Sequence, residues 1–308
     1  MNIDAASLGL LAIVEEAAFA GRPVSAKLGA ERALPSRPLD ASRQPTTTLL
    51  LSTAVGGLRK SHGFTMHSGQ RIRLITIDLD DTLWPCGPVI RDAEHALYRW
   101  LAGQAPRLTA VHDNDSLRAH RARLMRECPE IAHDVTALRL LSLRALMDEF
   151  GYSRSLADEA MALFQQQRNR VEPYDDVSPV LEWMRERYCL VSVTNGNAEI
   201  QNTPLSDAFH RSLTAAEAGA AKPDPALFEL AMQWAGIGPD QTLHIGDDPV
   251  RDVDAARRIG LRAIWVNRDR IEWPAALTPP ECEVSDLIEL ERWLDVQIDN
   301  GVGVEDAL

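Results

Sequence analysis

Residues Arg71 to Trp84 read RIRLITIDLDDTLW. Ile72, Leu74, Ile75 and Ile77 give Arg71 to Ile77 the β-branched, aliphatic character of a strand covered on both faces in a parallel sheet. Asp78, Asp80 and Asp81 follow at once. Carboxylates this close repel one another and lose hydration, so a cluster at the end of an apolar strand points to a cation or a reaction that uses them. Ligands of open parallel sheets bind outside the carboxyl ends of the strands, where this run places its acids. Asp is also a common turn residue, so an isolated Asp-x-Asp decides nothing without the rest of the chain.

Outward from that strand the pattern alternates. Cys189 to Thr194, a short stretch near Arg211 to Thr214, Thr242 to Gly246 and Leu261 to Val266 have strand character. Helical segments lie near Ser178 to Arg187, Pro225 to Ala235, Pro249 to Ile259 and Leu287 to Leu294. This order predicts the α/β class, a Rossmann-like parallel sheet with helices on both faces. Between the first strand and the others, Cys86 to Val171 reads as wholly helical. Leu138, Leu141 and Ala145 recur at helical spacing, and Leu140, Leu143 and Met147 add a second apolar face, as in a helix inside a bundle. Gly151 supplies a helix stop. Inserted directly after the acids, the block is placed to cap them. The expected organisation is a core of residues 71–85 and 172–308, a helical cap of residues 86–171, and an N-terminal extension of residues 1–70.

That extension differs in kind. It carries seven Lys or Arg against five acids, and residues 21–48 are rich in Pro, Ser, Arg and Thr with little apolar periodicity, the composition of a disordered segment. Asp4, Glu15 and Glu16 stand where a secretory signal has its positive start. Met66, just ahead of the first strand, raises an internal translation start, which peptides from before it would exclude.

The 308 residues carry a net charge of −13, with 45% hydrophobic and 25% charged residues, a soluble globular composition. The acidic balance opposes a nucleic-acid or anionic-membrane surface, and no apolar run approaches the ~18 residues of a membrane span. Cys86, Cys128, Cys189 and Cys282 form no Cys-x-x-Cys, so a zinc site or disulfide scaffold is not indicated and a reducing, cytoplasmic setting is expected. A chain this acidic that handles phosphate must neutralise it locally, with a metal or a few placed cations.

Three later segments reinforce the acid cluster. Val191-Ser192-Val193-Thr194-Asn195-Gly196 ends a strand in a hydroxyl and a permissive backbone; Asn-Gly alone is a hairpin signal, but at the end of a parallel strand Thr194 and the amides beside it can donate to phosphate. In Ala221-Lys222-Pro223-Asp224-Pro225, Asp224 and Pro225 read as a helix cap and first residue, which leaves Lys222 to balance phosphate charge. In His244-Ile245-Gly246-Asp247-Asp248-Pro249-Val250-Arg251-Asp252, Asp248 and Pro249 form another cap. Asp247 then faces the strand ends and Asp252 falls in the first helical turn. Carboxylates suit hard Mg²⁺, which takes one or two protein acids together with phosphate oxygen.

An Asp-x-Asp, a later Thr, a later Lys and a later Gly-Asp-x₄-Asp, each beside a strand and in this order, resemble the haloacid dehalogenase (HAD) superfamily from Arg71 to about Leu294. The resemblance implies a Rossmann-like core with a helical cap, an aspartyl-phosphate intermediate and Mg²⁺. DLDDTLWPCGPVI (Asp78 to Ile90), PEIAHDVTALR (Pro129 to Arg139) and VSVTNGNAE (Val191 to Glu199) are similar to the bacterial phosphatase family that acts on 5-amino-6-(5-phosphoribitylamino)uracil, a riboflavin precursor, and on FMN. Carried onto this chain, it makes Asp78 the nucleophile and Asp80 the general acid and base. Mg²⁺ is assigned to Asp78, the Asp80 carbonyl and Asp247, with Asp252 completing or supporting the shell. Thr194, Asn195 and Lys222 hold the phosphoryl group of a small phosphorylated metabolite.

Other readings are a broad-specificity phosphatase for sugar phosphates, phosphoglycolate or nucleotides, a 2-haloacid dehalogenase, and a non-enzymatic phosphoacceptor module. A dehalogenase needs neither Mg²⁺ nor an acid at Asp80, and receiver modules lack a helical insertion of this length. In the cap, Asp134 reads as a helix N-cap, His133 as a helix-end residue or a substrate contact, Glu130 as a solvated acid, and Arg168 and Arg170 as cations favoured near a helix C-terminus.

Overall fold

The apolar run ahead of the acids forms β1 (Leu74–Ile77), buried at every residue, in a computed structural model that describes residues 71–301, with side chains to residue 296. The N-terminal extension and the possible start at Met66 lie outside the described residues. Residues 71–73 precede the strand rather than belonging to it. Side chains alternate across β1: Ile75 and Ile77 enter one core cluster and Leu74 the other, the two-residue period of a strand sandwiched between layers.

After Trp84 the chain leaves the sheet for five helices: α1 (Cys86–Gln104), α2 (Pro106–Thr109), α3 (Asn114–Glu127), α4 (Val135–Glu149) and α5 (Ser155–Arg168). Their apolar faces meet in a separate cluster that includes Leu97, Leu101, Leu143, Leu146, Met147 and Phe164. The stripe of α4 differs from the expected one. Leu141 is 37% exposed, while Leu138, Arg139, Ser142, Leu143, Leu146 and Met147 are buried. Polar partners inside the bundle turn the helix this way. Buried Glu94 of α1 accepts from Arg118 Nε at 2.5 Å and pairs with Arg121 and with Arg139 at 3.5 Å, and Ser142 Oγ bonds His120 Nδ1 at 2.7 Å. Gly151 ends α4 at φ 70°, a left-handed position that glycine occupies without strain.

The chain returns through α6 (Val177–Arg185) to β2 (Cys189–Thr194), β3 (Arg211–Thr214), α7 (Ala215–Ala218), α8 (Ala226–Ala235), β4 (Thr242–Gly246), a π-helical turn (Pro249–Asp254), α9 (Ala255–Arg258), β5 (Arg262–Val266), β6 (Cys282–Val284) and α10 (Leu287–Gly301). The six strands are parallel in the order β3-β2-β1-β4-β5-β6. One face packs on α6 and α10 through Val180, Leu181, Met184, Leu290 and Leu294. The other packs on α8 and α9 through Leu227, Phe228, Ala231 and Ala256. β6 went unrecognised in the sequence because three residues, one of them Glu283, carry too little apolar pattern to read. Helix α8 starts at Ala226, so Pro225 holds the cap position, and Asp224 Oδ1 still accepts from Ala226 N–H at 3.0 Å.

The order places β1 between β2 and β4, where the chain's direction of travel across the sheet reverses, the position at which such sheets bind ligands. Among the described residues no helix is long and apolar enough to cross a membrane. Leu243 of β4 is fully buried, so Leu243→Ala should cost about 2–5 kcal/mol. Leu141→Ser should cost less than about 0.5 kcal/mol, as at an ordinary surface site. Denaturant melts of both variants check the pair, and a large loss from Leu141→Ser would contradict the orientation of α4.

Candidate active site

Register brings the acids together. Ile77 pairs with Ser192 and with Ile245, so Asp78 emerges level with the ends of β2 and β4, and its N–H donates to Ile245 O at 2.9 Å. Asp78 is 7% exposed. Lys222 reaches it from the loop beyond α7 and is itself buried: Nζ donates to Asp78 Oδ1 at 2.5 Å, Asp252 Oδ1 at 2.6 Å and Val193 O at 3.0 Å. An ammonium has three protons, and each has an acceptor.

Asn195 was expected to touch substrate. Its carboxamide clasps the main chain of Lys222, donating from Nδ2 to Lys222 O at 2.8 Å and accepting Lys222 N–H at 2.7 Å. It thereby sets where the lysine starts.

Asp252 arrives by an irregular route. Asp248 caps the turn as expected, accepting from Val250 N–H and Arg251 N–H, but the turn is π-helical, with Val253 N–H donating five residues back to Asp248 O at 3.2 Å. The wide turn lets the Asp252 carboxylate point back at the sheet, where Oδ2 accepts from Asp248 N–H at 3.0 Å. Its Oδ1 faces His244 Nε2 at 3.2 Å, and His244 Nδ1 in turn meets Thr76 Oγ1 at 2.9 Å. A Cβ on Gly246 would lie 2.4 Å from Asp252 Cγ, so the glycine is required by close approach. Asp247 Oδ1 accepts from Thr82 Oγ1 at 3.0 Å, and its carbonyl accepts from Trp265 Nε1 at 2.7 Å.

Asp78, Asp247 and Asp252 each present an oxygen within 4.8 Å of the others. Burial pushes Asp78 up to about 8 against the lowering pull of Lys222. Asp247 is driven well above the carboxylate range by burial and by the charge of Asp78. Asp252 goes the other way: burial alone would raise it, but Lys222 and His244 hold it below the usual range. Lys222 is likewise held above its ordinary value, because Asp252 and Asp78 overcome its burial. The core therefore contains one ionised Lys222–Asp252 pair and two carboxylates that burial holds toward their protonated forms. Such an all-oxygen donor set suits a hard divalent cation.

Asp80 stands apart from that trio. Its carboxylate accepts from Trp84 Nε1 at 2.9 Å and from Arg168 Nη2 at 2.7 and 2.6 Å. A Cβ on Gly196 would meet Asp80 Oδ2 at 2.6 Å, and Arg168 Nη2 and Thr194 Oγ1 at 3.2 Å each. Asp80, Arg168 and Thr194 thus converge beside the backbone of Gly196. Thr194 is 1% exposed and its Oγ1 accepts Gly196 N–H at 2.9 Å, which leaves the hydroxyl proton to be donated.

Sequence reasoning passed over His244, Trp84 and Thr82, and read Arg168 as a helix-end cation. A signal for Arg168 was available: it follows Met161 and Phe164 on the buried stripe of α5, and an arginine on an apolar stripe needs a partner. Asp134 caps α4 as expected, accepting from Ala137 N–H at 2.8 Å. Glu130 is exposed. His133 lines a cleft of about 690 Å³ between α4, α5, the loop after β2 and the β3–α7 corner. Its walls include Thr136, Gln165, Asn197, Glu199 and Arg211, and also Gly196, beside which Asp80 lies.

If the trio receives a cation, Asp78 and Asp247 must ionise when it binds. Titration of Mg²⁺ at pH 7 in two buffers of different ionisation enthalpy should show release of about one to two protons per ion. Binding without proton release would contradict the raised Asp78 and Asp247.

Residues 72–260 match the haloacid dehalogenase-like hydrolase family. The 5-amino-6-(5-phospho-D-ribitylamino)uracil phosphatase YigB of Escherichia coli (strain K12) is 34% identical over 229 residues, 71% of this chain and 95% of the relative. A phosphoserine phosphatase of Thermus thermophilus is 35% identical over 48% of this chain and 61% of its own length. Among solved structures, the 2-haloacid dehalogenase from Pseudomonas syringae pv. Tomato DC3000 superposes with a TM-score of 0.69 at 38% identity, covering 73% of this chain and 99% of that one. With a family match over residues 72–260 and a relative 34% identical along 95% of its own length, the chain belongs to the haloacid dehalogenase-like hydrolase family.

Proposed function

We propose that the protein is a Mg²⁺-dependent phosphomonoester phosphatase of the cytoplasm whose substrate is the riboflavin precursor 5-amino-6-(5-phosphoribitylamino)uracil, with FMN as a further substrate. The observation that carries the phosphatase reading is a second carboxylate, Asp80, held at the nucleophile's site beside a three-carboxylate cluster. Displacement of halide from carbon calls for neither a cation nor a proton donor to the leaving group, whereas an alkoxide leaving from phosphorus calls for both. The substrate reading is supported by the match to YigB along nearly its whole length and by the hydrogen-bonding side chains of Thr136, Gln165, Asn197 and Glu199 in the cleft wall, which suit a polyhydroxylated leaving group.

Asp78, Asp247 and the Asp80 carbonyl would hold Mg²⁺, with Asp252 supporting them through Lys222. When bound, the ion supplies positive charge that keeps Asp78 ionised and offsets the charge of the phosphoryl oxygens. In the first step an Asp78 oxygen attacks phosphorus, the phosphorus–oxygen bond to the leaving group breaks, and Asp80 passes a proton to the departing alkoxide. In the second, Asp80 takes a proton from water as it attacks the aspartyl-phosphate, releasing phosphate and restoring Asp78. Thr194 donates its hydroxyl proton to a phosphoryl oxygen, and Lys222 fixes Asp78 while contributing charge. Asn195 acts through Lys222 as a positioning residue.

The dehalogenase name of the P. syringae structure supports a second reading, in which Asp78 displaces halide from a 2-haloacid. One screen separates the two, comparing phosphate release from the riboflavin precursor, FMN, sugar phosphates, phosphoglycolate and nucleotides with halide release from a 2-chloroacid. The expected outcome is Mg²⁺-dependent phosphate release, highest on the precursor. Asp78→Asn should lower it by about three orders of magnitude or more. Halide release without phosphate release would overturn the phosphatase reading, and a phosphatase inert toward the precursor would overturn only the substrate.

A further inference from the structure

Arg168 ends α5 with its side chain 1% exposed. Of its three guanidinium nitrogens only Nη2 is engaged, on both oxygens of Asp80, while Nε and Nη1 are buried without a hydrogen-bond partner. Burying charged donors unmet costs more than a hydrogen bond returns, so this arrangement calls for an acceptor that arrives later. Asp80 does not depend on the arginine alone, since Trp84 Nε1 also holds it at 2.9 Å. Nor does α5 depend on it. Gln165 Nε2 donates to Asn197 O at 2.7 Å, and Asn169 and Glu199 exchange two bonds of 2.9 Å, pinning the helix end on both sides of Arg168. The backbone at the end of α5 is thus held by groups other than the guanidinium. Arg168 Nη2 lies, with Thr194 Oγ1, within 3.2 Å of a single point beside Gly196, on the Asp80 side of the site. The three protons of Lys222 are already taken by Asp78, Asp252 and Val193 O.

Resting on the phosphatase reading, we propose that Arg168 is a substrate-binding residue that sits on Asp80 when no substrate is bound and transfers to a phosphoryl oxygen when the ester enters. A phosphoryl dianion offers more acceptors and more charge than one carboxylate, and a planar guanidinium matches it through two nitrogens at once. The transfer uncovers Asp80 only when a phosphate is present, so the proton donor faces the leaving oxygen at the moment it is needed.

Isothermal titration of inorganic phosphate into the full-length protein with Mg²⁺ present tests the exchange on wild type, Asp80→Asn, Arg168→Gln and the double variant. Asp80→Asn removes a negative charge and tightens phosphate binding in either background. If Asp80 also holds Arg168 back, the gain should be about tenfold or more larger with Arg168 present than in Arg168→Gln, a coupling that only interacting groups show. Equal gains in the two backgrounds overturn the proposal. Should thermal melting show that Arg168→Gln does not fold, Arg168→Met, which keeps the aliphatic stem, takes its place in the same cycle under the same criterion. A wild type that hydrolyses phosphomonoesters while the gains are equal refutes the exchange alone. A wild type that neither hydrolyses them nor binds phosphate refutes the phosphatase reading as well.

Discussion

Lys222 holds its ammonium between the carboxylates of Asp78 and Asp252, at 2.5 and 2.6 Å, with all three groups buried. A buried charge is tolerable only when paired and fully hydrogen-bonded, and much of the surrounding structure meets that condition. Val193 O takes the third lysine proton. Asn195 fixes the lysine's main chain, Gly246 makes room for Asp252, and the π-helical turn aims Asp252 at the sheet. His244 and Thr76 extend the network into the sheet itself. Residues from four separate stretches of chain thereby settle one positive charge, and the same packing buries Asp78 and Asp247 so that their protonated forms are favoured.

That burial links stability to function. A site with every charge cancelled internally would have no use for a cation, and one with none cancelled would not stay folded around four acids. Here Lys222 and Asp252 neutralise each other and set the geometry, while burial raises Asp78 and Asp247 until a divalent ion or a proton must join them. Strong perturbation of this kind in a cleft marks a functional site more often than a structural ion pair.

The helical insertion adds a second layer to the same logic. Its own core, with Leu97, Leu101, Leu146 and Phe164 at the centre, is distinct from the two clusters that sandwich the sheet, so it is stabilised without the acids. It meets the core along a polar seam in which Gln165, Asn169 and Thr136 bond to the loop after β2. Hydrogen bonds share that seam with an apolar contact, since Val89 of α1 is buried in the sheet's own core cluster. Arg168 stands in the middle of that seam, where the insertion touches the chemistry directly.

Much of this was legible in the linear chain. The apolar runs ending in Asp78, Thr194 and Asp247 identify parallel strands and which end carries the site, because burial on both faces and the period of two leave local marks in composition. Asp134 and Asp248 could be read as caps for a similar reason, since a cap bonds only to the amides that follow it. What tertiary structure alone decided were the pairings between distant residues. Asn195, expected at the substrate, also clasps the main chain of Lys222. Arg168, 88 residues beyond Asp80, became its partner, and β6 exists only because β5 offers it an edge. No local pattern records which buried donor meets which buried acceptor, because that depends on strand register and helix rotation. The chain by itself thus determined the fold class and the chemical character of the site, through short-range rules of burial and capping; the wiring of charges came only with the packed structure, since electrostatic partners are chosen by distance in space and not along the sequence.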